Sequence, residues 1–227
     1  MVNEENINEL KVIADNEIIN PQWAITKQFL EINNIEILNN EYEIERHSIF
    51  NDFLNKSKKY IYEISFFYKI KDERYFYCIV VDINKKEVSR VGPYSACDCH
   101  LHVYSEDINL NDMKKLTKLK HSDSGAIGEK TKNGKGINSI NWLIYKFTNL
   151  MSYELEEALN MFLDELEKDE IGIKNLAKKT DAFIDIVKYQ YINANAGIEI
   201  NTKLIKRLNK LNLGFCVDLY ICGERNK

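Results

Sequence analysis

Aromatic and β-branched residues crowd two runs, Tyr60 to Ile70 and Tyr75 to Ile83, separated by the charged stretch Lys71, Asp72, Glu73, Arg74. Such runs suit a pleated, half-buried surface, and the short polar interruption predicts a β-hairpin. A third strand is expected over Glu87 to Val91, after which Gly92 and Pro93 break the pattern and mark a junction between two units. Upstream, Asn20 followed by Pro21 reads as a helix start, with Trp23, Ile25, Phe29, Leu30 and Ile32 as its buried stripe. Residues 35–45 alternate loosely as an extended segment, and Ile49, Phe50, Phe53 and Leu54 suggest a short helix.

Beyond the junction, Cys97 to Tyr104 alternates as a strand, with Cys97, Cys99, Leu101 and Val103 on one face and Asp98, His100, His102 and Tyr104 on the other. Leu110, Met113, Leu116 and Leu119 mark a short helix, and a polar glycine-containing loop over 120–140 leads to a strand from Trp142 to Phe147. Leu155, Ala158, Leu159, Phe162, Leu163 and Leu166 recur at three- and four-residue steps, the signature of a helix with one buried face, capped by Ser152. A break near Gly172 precedes a strand over Ala182 to Ile192. Asn201 then caps a helix with Leu204, Ile205, Leu208 and Leu211 inward, Gly214 stops it, and a last strand sets Phe215, Val217, Leu219 and Ile221 on one face.

The expected fold class is α+β. Residues 1–96 form an acidic unit of helix plus antiparallel meander, and residues 97–227 an α/β sandwich of about four strands with helices packed on one face.

These features carry a resemblance. The opening strand at Leu101 to Tyr104, the short helix Asn111 to Leu119, Gly128 with Glu129, Trp142, the Leu-rich helix Leu155 to Leu166, the strand Ile184 to Val187, the helix Leu204 to Leu211 and the closing Asp218, Leu219, Tyr220 together resemble the domain-of-unknown-function family 4279. The resemblance covers a little over half the chain. It implies the fold of the C-terminal part and no particular activity. Lys120 and His121 stand where the family pattern has a proline after the first short helix, and residues 1–96 lie outside it.

Composition excludes several classes. The longest apolar run, Tyr75 to Val81, is far too short to span a bilayer, and the opening residues lack a basic head and apolar stretch, so a cytoplasmic protein without a membrane partner is expected. Five cysteines with no C-x-x-C pair read as reduced thiols. Residues 1–52 hold three basic residues against eleven acidic ones, a balance of −8 in a chain whose total is −4. Phosphate neutralisation needs Lys and Arg clusters, so nucleic acid is not the expected partner, and an acidic front suits a basic protein.

The expected mode of action is non-catalytic: a bacterial binding protein of the immunity or inhibitor type, occluding the functional site of a basic partner such as a nuclease toxin. Glu36, Glu41, Glu43, Glu45, Tyr62 and Tyr68 are the candidate contact residues. A phage-encoded inhibitor of a host defence complex would use the same occlusion. No cofactor is required for either.

One constellation points elsewhere. A His-x-His pair on a strand presents two imidazoles on one face, and Asp98, His100 and His102, with His121 as a further ligand, make a candidate zinc site for a metal-dependent hydrolase. The loop Ser124 to Thr131 does not hold a phosphate. Two residues rather than four separate Gly125 from Gly128, and Glu129 occupies the position before Lys130 where a phosphate loop has glycine.

Overall fold

In a computed structural model of the 227-residue chain, residues 4–32, 63–71, 73–147, 155–192 and 197–223 are described. The extended segment and short helix expected within 35–54, the Ser152 cap, and the contact candidates Glu36, Glu41, Glu43, Glu45 and Tyr62 lie outside the described residues. The chain divides into two units, Met1–Tyr94 with Tyr191–Ala194 and Cys222–Lys227, and Ser95–Gln190 with Asn195–Ile221. The class is α+β, with helices on a three-stranded meander in the first unit and a five-stranded sheet with helices in the second.

In the first unit, helix α1 spans Glu4–Ile19, an element absent from those the sequence pattern predicts. Its apolar stripe, Leu10, Ala14 and Ile18, is diluted by acidic and amide residues. Helix α2 spans Ala24–Ile32, starting later than Asn20 and Pro21 suggest. The reason is Glu17, buried at the end of α1, whose carboxylate accepts from the Gln22 and Trp23 backbone N–H groups, both at 3.0 Å. That acceptor does the work expected of Asn20. Trp23 and Ile25 are exposed, and Thr26 and Phe29 are the buried positions, with Tyr77 Oη donating to Thr26 Oγ1 at 3.1 Å.

Strands β1 (Glu63–Lys69), β2 (Phe76–Asp82) and β3 (Glu87–Tyr94) pair antiparallel in that order. β3 runs through Gly92 and Pro93 rather than ending at Val91. Among the described residues β3 is an edge strand with β2 as its neighbour, the position in a sheet where a proline is tolerated. Ile64, Phe66, Tyr75, Tyr77, Ile79 and Val81 bury one face under α1 and α2, and Phe29 stacks on Tyr77 with ring centroids 4.5 Å apart.

The second unit holds β4 (Ala96–Ser105), β5 (Asp123–Gly125), β6 (Asn141–Tyr145), β7 (Asp181–Tyr191) and β8 (Gly214–Cys222) in the order β5-β6-β4-β7-β8. The count is five rather than four because β5 forms inside the glycine-containing loop. Helices α3 (Leu110–Lys114), α4 (Leu155–Glu167), α5 (Glu170–Lys179) and α6 (Thr202–Leu211) cover one face. Leu155, Leu159, Phe162, Leu163 and Leu166 of α4 are buried against Cys97, Cys99, Leu101 and Val103 of β4, each large side chain contributing about 1.5–3 kcal/mol.

Three local details depart from the sequence pattern. Gly172 lies inside α5 rather than at a break, because Asp169 caps that helix by accepting from the Gly172 N–H at 3.2 Å. Asn201 caps α6 as expected, accepting from Lys203 and Leu204, but its C-terminus is closed by Asn212 in the left-handed conformation rather than by Gly214. Ile205, expected inward, is exposed. Among the described residues no helix is long and apolar enough to cross a membrane.

Candidate functional site

Strict alternation along β4 settles which side chains meet the helices. Cys97, Cys99, Leu101 and Val103 enter the core, leaving Asp98, His100, His102 and Tyr104 on the opposite face of the sheet. On β7, Ile184 and Ile186 enter the same core, so Phe183 and Asp185 join the opposite face. The antiparallel register then places Asp185 directly across from His100 and Phe183 directly across from His102.

On this face one ring nitrogen each of His100 and His102 and a carboxylate oxygen of Asp185 all lie within 4.8 Å of one another. His102 Nε2 is 3.8 Å from Asp185 Oδ2. Each of the three side chains is held by a further partner. His100 Nε2 sits 3.1 Å from Asp98 Oδ2, His102 Nδ1 sits 2.9 Å from Tyr104 Oη, and the Cys216 thiol donates to Asp185 Oδ1 at 3.4 Å. Phe183 stacks on the His102 ring at 5.8 Å with an interplanar angle of 16°. Asp98 is itself clamped, receiving Lys146 Nζ at 2.6 Å and the Cys99 N–H at 3.0 Å.

The electrostatics follow from these contacts. Burial opposes ionisation of Asp98, but the hydrogen bonds from His100 and Lys146 outweigh it and hold its pKa down at about 2. Burial, which favours the neutral imidazole, pushes His102 below its ordinary value against the opposing pull of Asp185. Burial and the hydrogen bond to Asp185 push the Cys216 thiol up to about 11. Cys99 is raised far out of the nucleophilic range by burial, and both Cys97 and Cys99 point into the core.

The sequence-derived metal set is therefore brought together only in part. Asp98, His100 and His102 share the face, but Asp98 serves as partner to His100, and Asp185 is the carboxylate that converges with both imidazoles. His121 precedes β5, where burial and the Lys114 charge lower its pKa, and it does not join this group. Asp185 carried no spacing signal; only its outward position between Ile184 and Ile186 hinted at it.

Of the partner candidates, Tyr68 is the described one, and it is not a surface residue. It is 8% exposed and its hydroxyl donates to Asp15 Oδ1 at 2.8 Å. Burial first and the Asp15 carboxylate second push its phenol far above the ordinary range. The alternation of β1 sends Tyr68 to the same side as Ile64 and Phe66, toward α1.

The glycine-containing loop uses its backbone N–H groups internally. Ala126 donates to Glu129 Oε2 at 2.8 Å, Ile127 to Asn141 Oδ1 at 3.0 Å and Gly128 to the Asn138 carbonyl at 2.9 Å. No cradle for a phosphate remains there.

β8 is different in kind. It ends the sheet among the described residues, and nearly all of its length is exposed, including Phe215, Leu219, Tyr220 and Ile221 at 42–54%. The alternation expected of Phe215, Val217, Leu219 and Ile221 does not show in its burial: Val217 alone of the four packs on the core, and the other three are exposed.

A family model described as a domain of unknown function (DUF4279) matches residues 95–222, more than half of the chain. The chain belongs to the DUF4279 family. No curated protein and no solved structure matches it. The DUF4279 match begins immediately before β4 and ends with β8, so it takes in both the His100, His102, Asp185 group and the exposed strand.

Proposed function

We propose that this DUF4279 protein is a non-catalytic bacterial binding protein of the immunity or inhibitor type, which neutralises a basic protein partner by covering its functional site. The observation that supports this reading is β8. A nine-residue strand at the end of a sheet presents a row of backbone donors and acceptors to a partner strand, and a natural edge is usually blunted by proline, a bulge or lysines. β8 contains none of the first or last, and exposes Phe215, Leu219, Tyr220 and Ile221 instead. Strand addition draws affinity from main-chain bonds and specificity from alternate side chains. The exposed acid Asp218 on this strand, with the acidic front of the chain, favours a basic partner. A phage-encoded inhibitor would act in the same way.

The test is titration of the purified protein encoded by the neighbouring gene against the wild-type chain and the exposed-edge variants Phe215→Lys and Leu219→Lys. Saturable binding that weakens at least tenfold in the variants, with unchanged thermal stability, is the expected result. Absence of binding, or equal binding by both variants, removes the reading. A metal-dependent hydrolase is the second reading, favoured by one observation, the convergence of His100, His102 and Asp185.

A further inference from the structure

We propose that His100, His102 and Asp185 bind a single divalent transition-metal ion of the zinc type on the face of the five-stranded sheet opposite the helices. Two neutral imidazoles and one carboxylate form an N₂O donor set suited to Zn²⁺, Co²⁺, Ni²⁺ or Fe²⁺ and poorly suited to Mg²⁺ or Ca²⁺, which prefer oxygen throughout. Donor atoms about 2.1 Å from a tetrahedral ion stand roughly 3.4 Å apart. His102 Nε2 and Asp185 Oδ2 are already at 3.8 Å, and all three donors lie within 4.8 Å of one another, so closure around an ion asks only for small side-chain rotations.

Three histidine and acid side chains gather on many protein surfaces without an ion. What distinguishes this group is that each has its other polar atom occupied by a dedicated partner. Asp98 takes His100 Nε2, the Tyr104 hydroxyl takes His102 Nδ1, and the Cys216 thiol takes Asp185 Oδ1. That pattern leaves a second nitrogen on each ring and a second carboxylate oxygen on Asp185; the Asp98 carboxylate accepts from His100 Nε2–H and so sets that ring's tautomer, while the Tyr104 hydroxyl orients the His102 ring, as the outer partners of metal ligands do. Lys146 Nζ shares Asp98 Oδ2 with His100 Nε2 and so holds that supporting carboxylate in place. Three protein donors also leave coordination positions open, so the ion would be able to take a water or an acidic group from outside. The inference stands apart from the occlusion reading, since an ion can bind here whether or not β8 receives a partner.

The experiment is calorimetric titration of Zn²⁺ into the chelator-treated full-length chain, paralleled by the visible spectrum of the Co²⁺ form. Expected are one Zn²⁺ per chain and a Co²⁺ spectrum of nitrogen and oxygen donors without a thiolate charge-transfer band. Asp185→Asn should weaken binding at least tenfold, the His100→Gln, His102→Gln double variant should abolish it, and Asp98→Asn should weaken it by about 10- to 100-fold. His121→Ala should bind as the wild type does. Circular dichroism on each variant separates loss of a ligand from loss of the fold. Failure of Zn²⁺, Co²⁺, Ni²⁺ and Fe²⁺ alike to bind stoichiometrically, or undiminished binding by Asp185→Asn, overturns the assignment.

Discussion

The Cys216 thiol of β8 donates to Asp185 Oδ1 of β7 at 3.4 Å, joining two residues that belong to different strands and face away from the helices. The sulfur belongs to an exposed residue, yet burial and the Asp185 carboxylate raise its pKa to about 11. The thiolate is the reactive form, so exposure alone does not make this cysteine reactive. In metal-free protein at pH 8, alkylation of Cys216 is expected to run at least tenfold slower than that of an ordinary exposed thiol. Asp185→Asn removes the negative charge, lowers the thiol pKa and should restore part of the rate, burial still holding the rest back, as followed by mass spectrometry of the labelled peptide.

Asp169 ties α5 to the segment after α3. Its Oδ2 accepts from Thr117 Oγ1 at 2.7 Å and the Lys118 N–H at 2.5 Å, while Oδ1 caps the helix. Burial raises its pKa, but these hydrogen bonds prevail and the folded value lies below the ordinary carboxylate value of about 3.9. A depressed folded pKa contributes stability that is present above the unfolded value and is lost as pH falls through the folded one. Asp169→Asn, which lacks the second acceptor, should lower stability by about 1–2 kcal/mol at pH 7. The gap to wild type should narrow below about pH 4, as read by urea unfolding across that range.

Gly172 sits in the first turn of α5, where a glycine ordinarily costs about 1 kcal/mol against alanine. A Cβ there would run into the Asp169 carboxylate. Gly172→Ala should therefore destabilise the chain by displacing the cap, by about 1 kcal/mol net, where helix propensity alone would have it stabilise. A rise in melting temperature would contradict this account.

Gly125 makes room for Trp142. A Cβ at this position would stand 2.5 Å from the indole Nε1 and 2.6 Å from Asn138 Nδ2. Overpacking of this kind costs about 1–3 kcal/mol, and Gly125→Ala is expected to shift the Trp142 emission while leaving Trp23 unaffected. Steady-state fluorescence of the Trp23→Phe background isolates the signal.

Arg207 of α6 makes a bidentate pair with Glu167 of α4, at 2.9 and 3.0 Å, and reaches Asp164 Oδ1 at 2.6 Å. The planar fork supplies geometry that a lysine cannot. Arg207→Lys should lower stability by about 1 kcal/mol although the charge is kept, measurable as a shift in the denaturation midpoint.

Legibility in the sequence differs from element to element. The Leu-rich helix α4 was plain because six apolar residues recur at helical steps, and the hairpin of β1 and β2 because its residues are aromatic and branched on both sides of a charged turn. Helix α1 was not, since Leu10, Ala14 and Ile18 are separated by acids and amides that weaken the periodicity. Glu17, a residue of α1, accepts from the Gln22 and Trp23 N–H groups ahead of α2, where the local sequence pattern offers Asn20 as the cap. Tyr68 illustrates the opposite error. An aromatic residue near an acidic segment suggested a contact surface, but its strand parity sent it under α1.

Taken alone, the sequence determined which side chains of β4 share a face, because successive residues of any strand point to opposite sides. The same parity pairs His100 with His102 and sets Cys97 and Cys99 against them whatever strand lies alongside. Only the tertiary structure decided that β7 lies beside β4 in a register opposing Asp185 to His100, and that Asp98 serves as a supporting partner rather than a third ligand. Register depends on how the whole sheet buries its apolar face against α4 and α6, which is a property of long-range packing and not of any local run of residues.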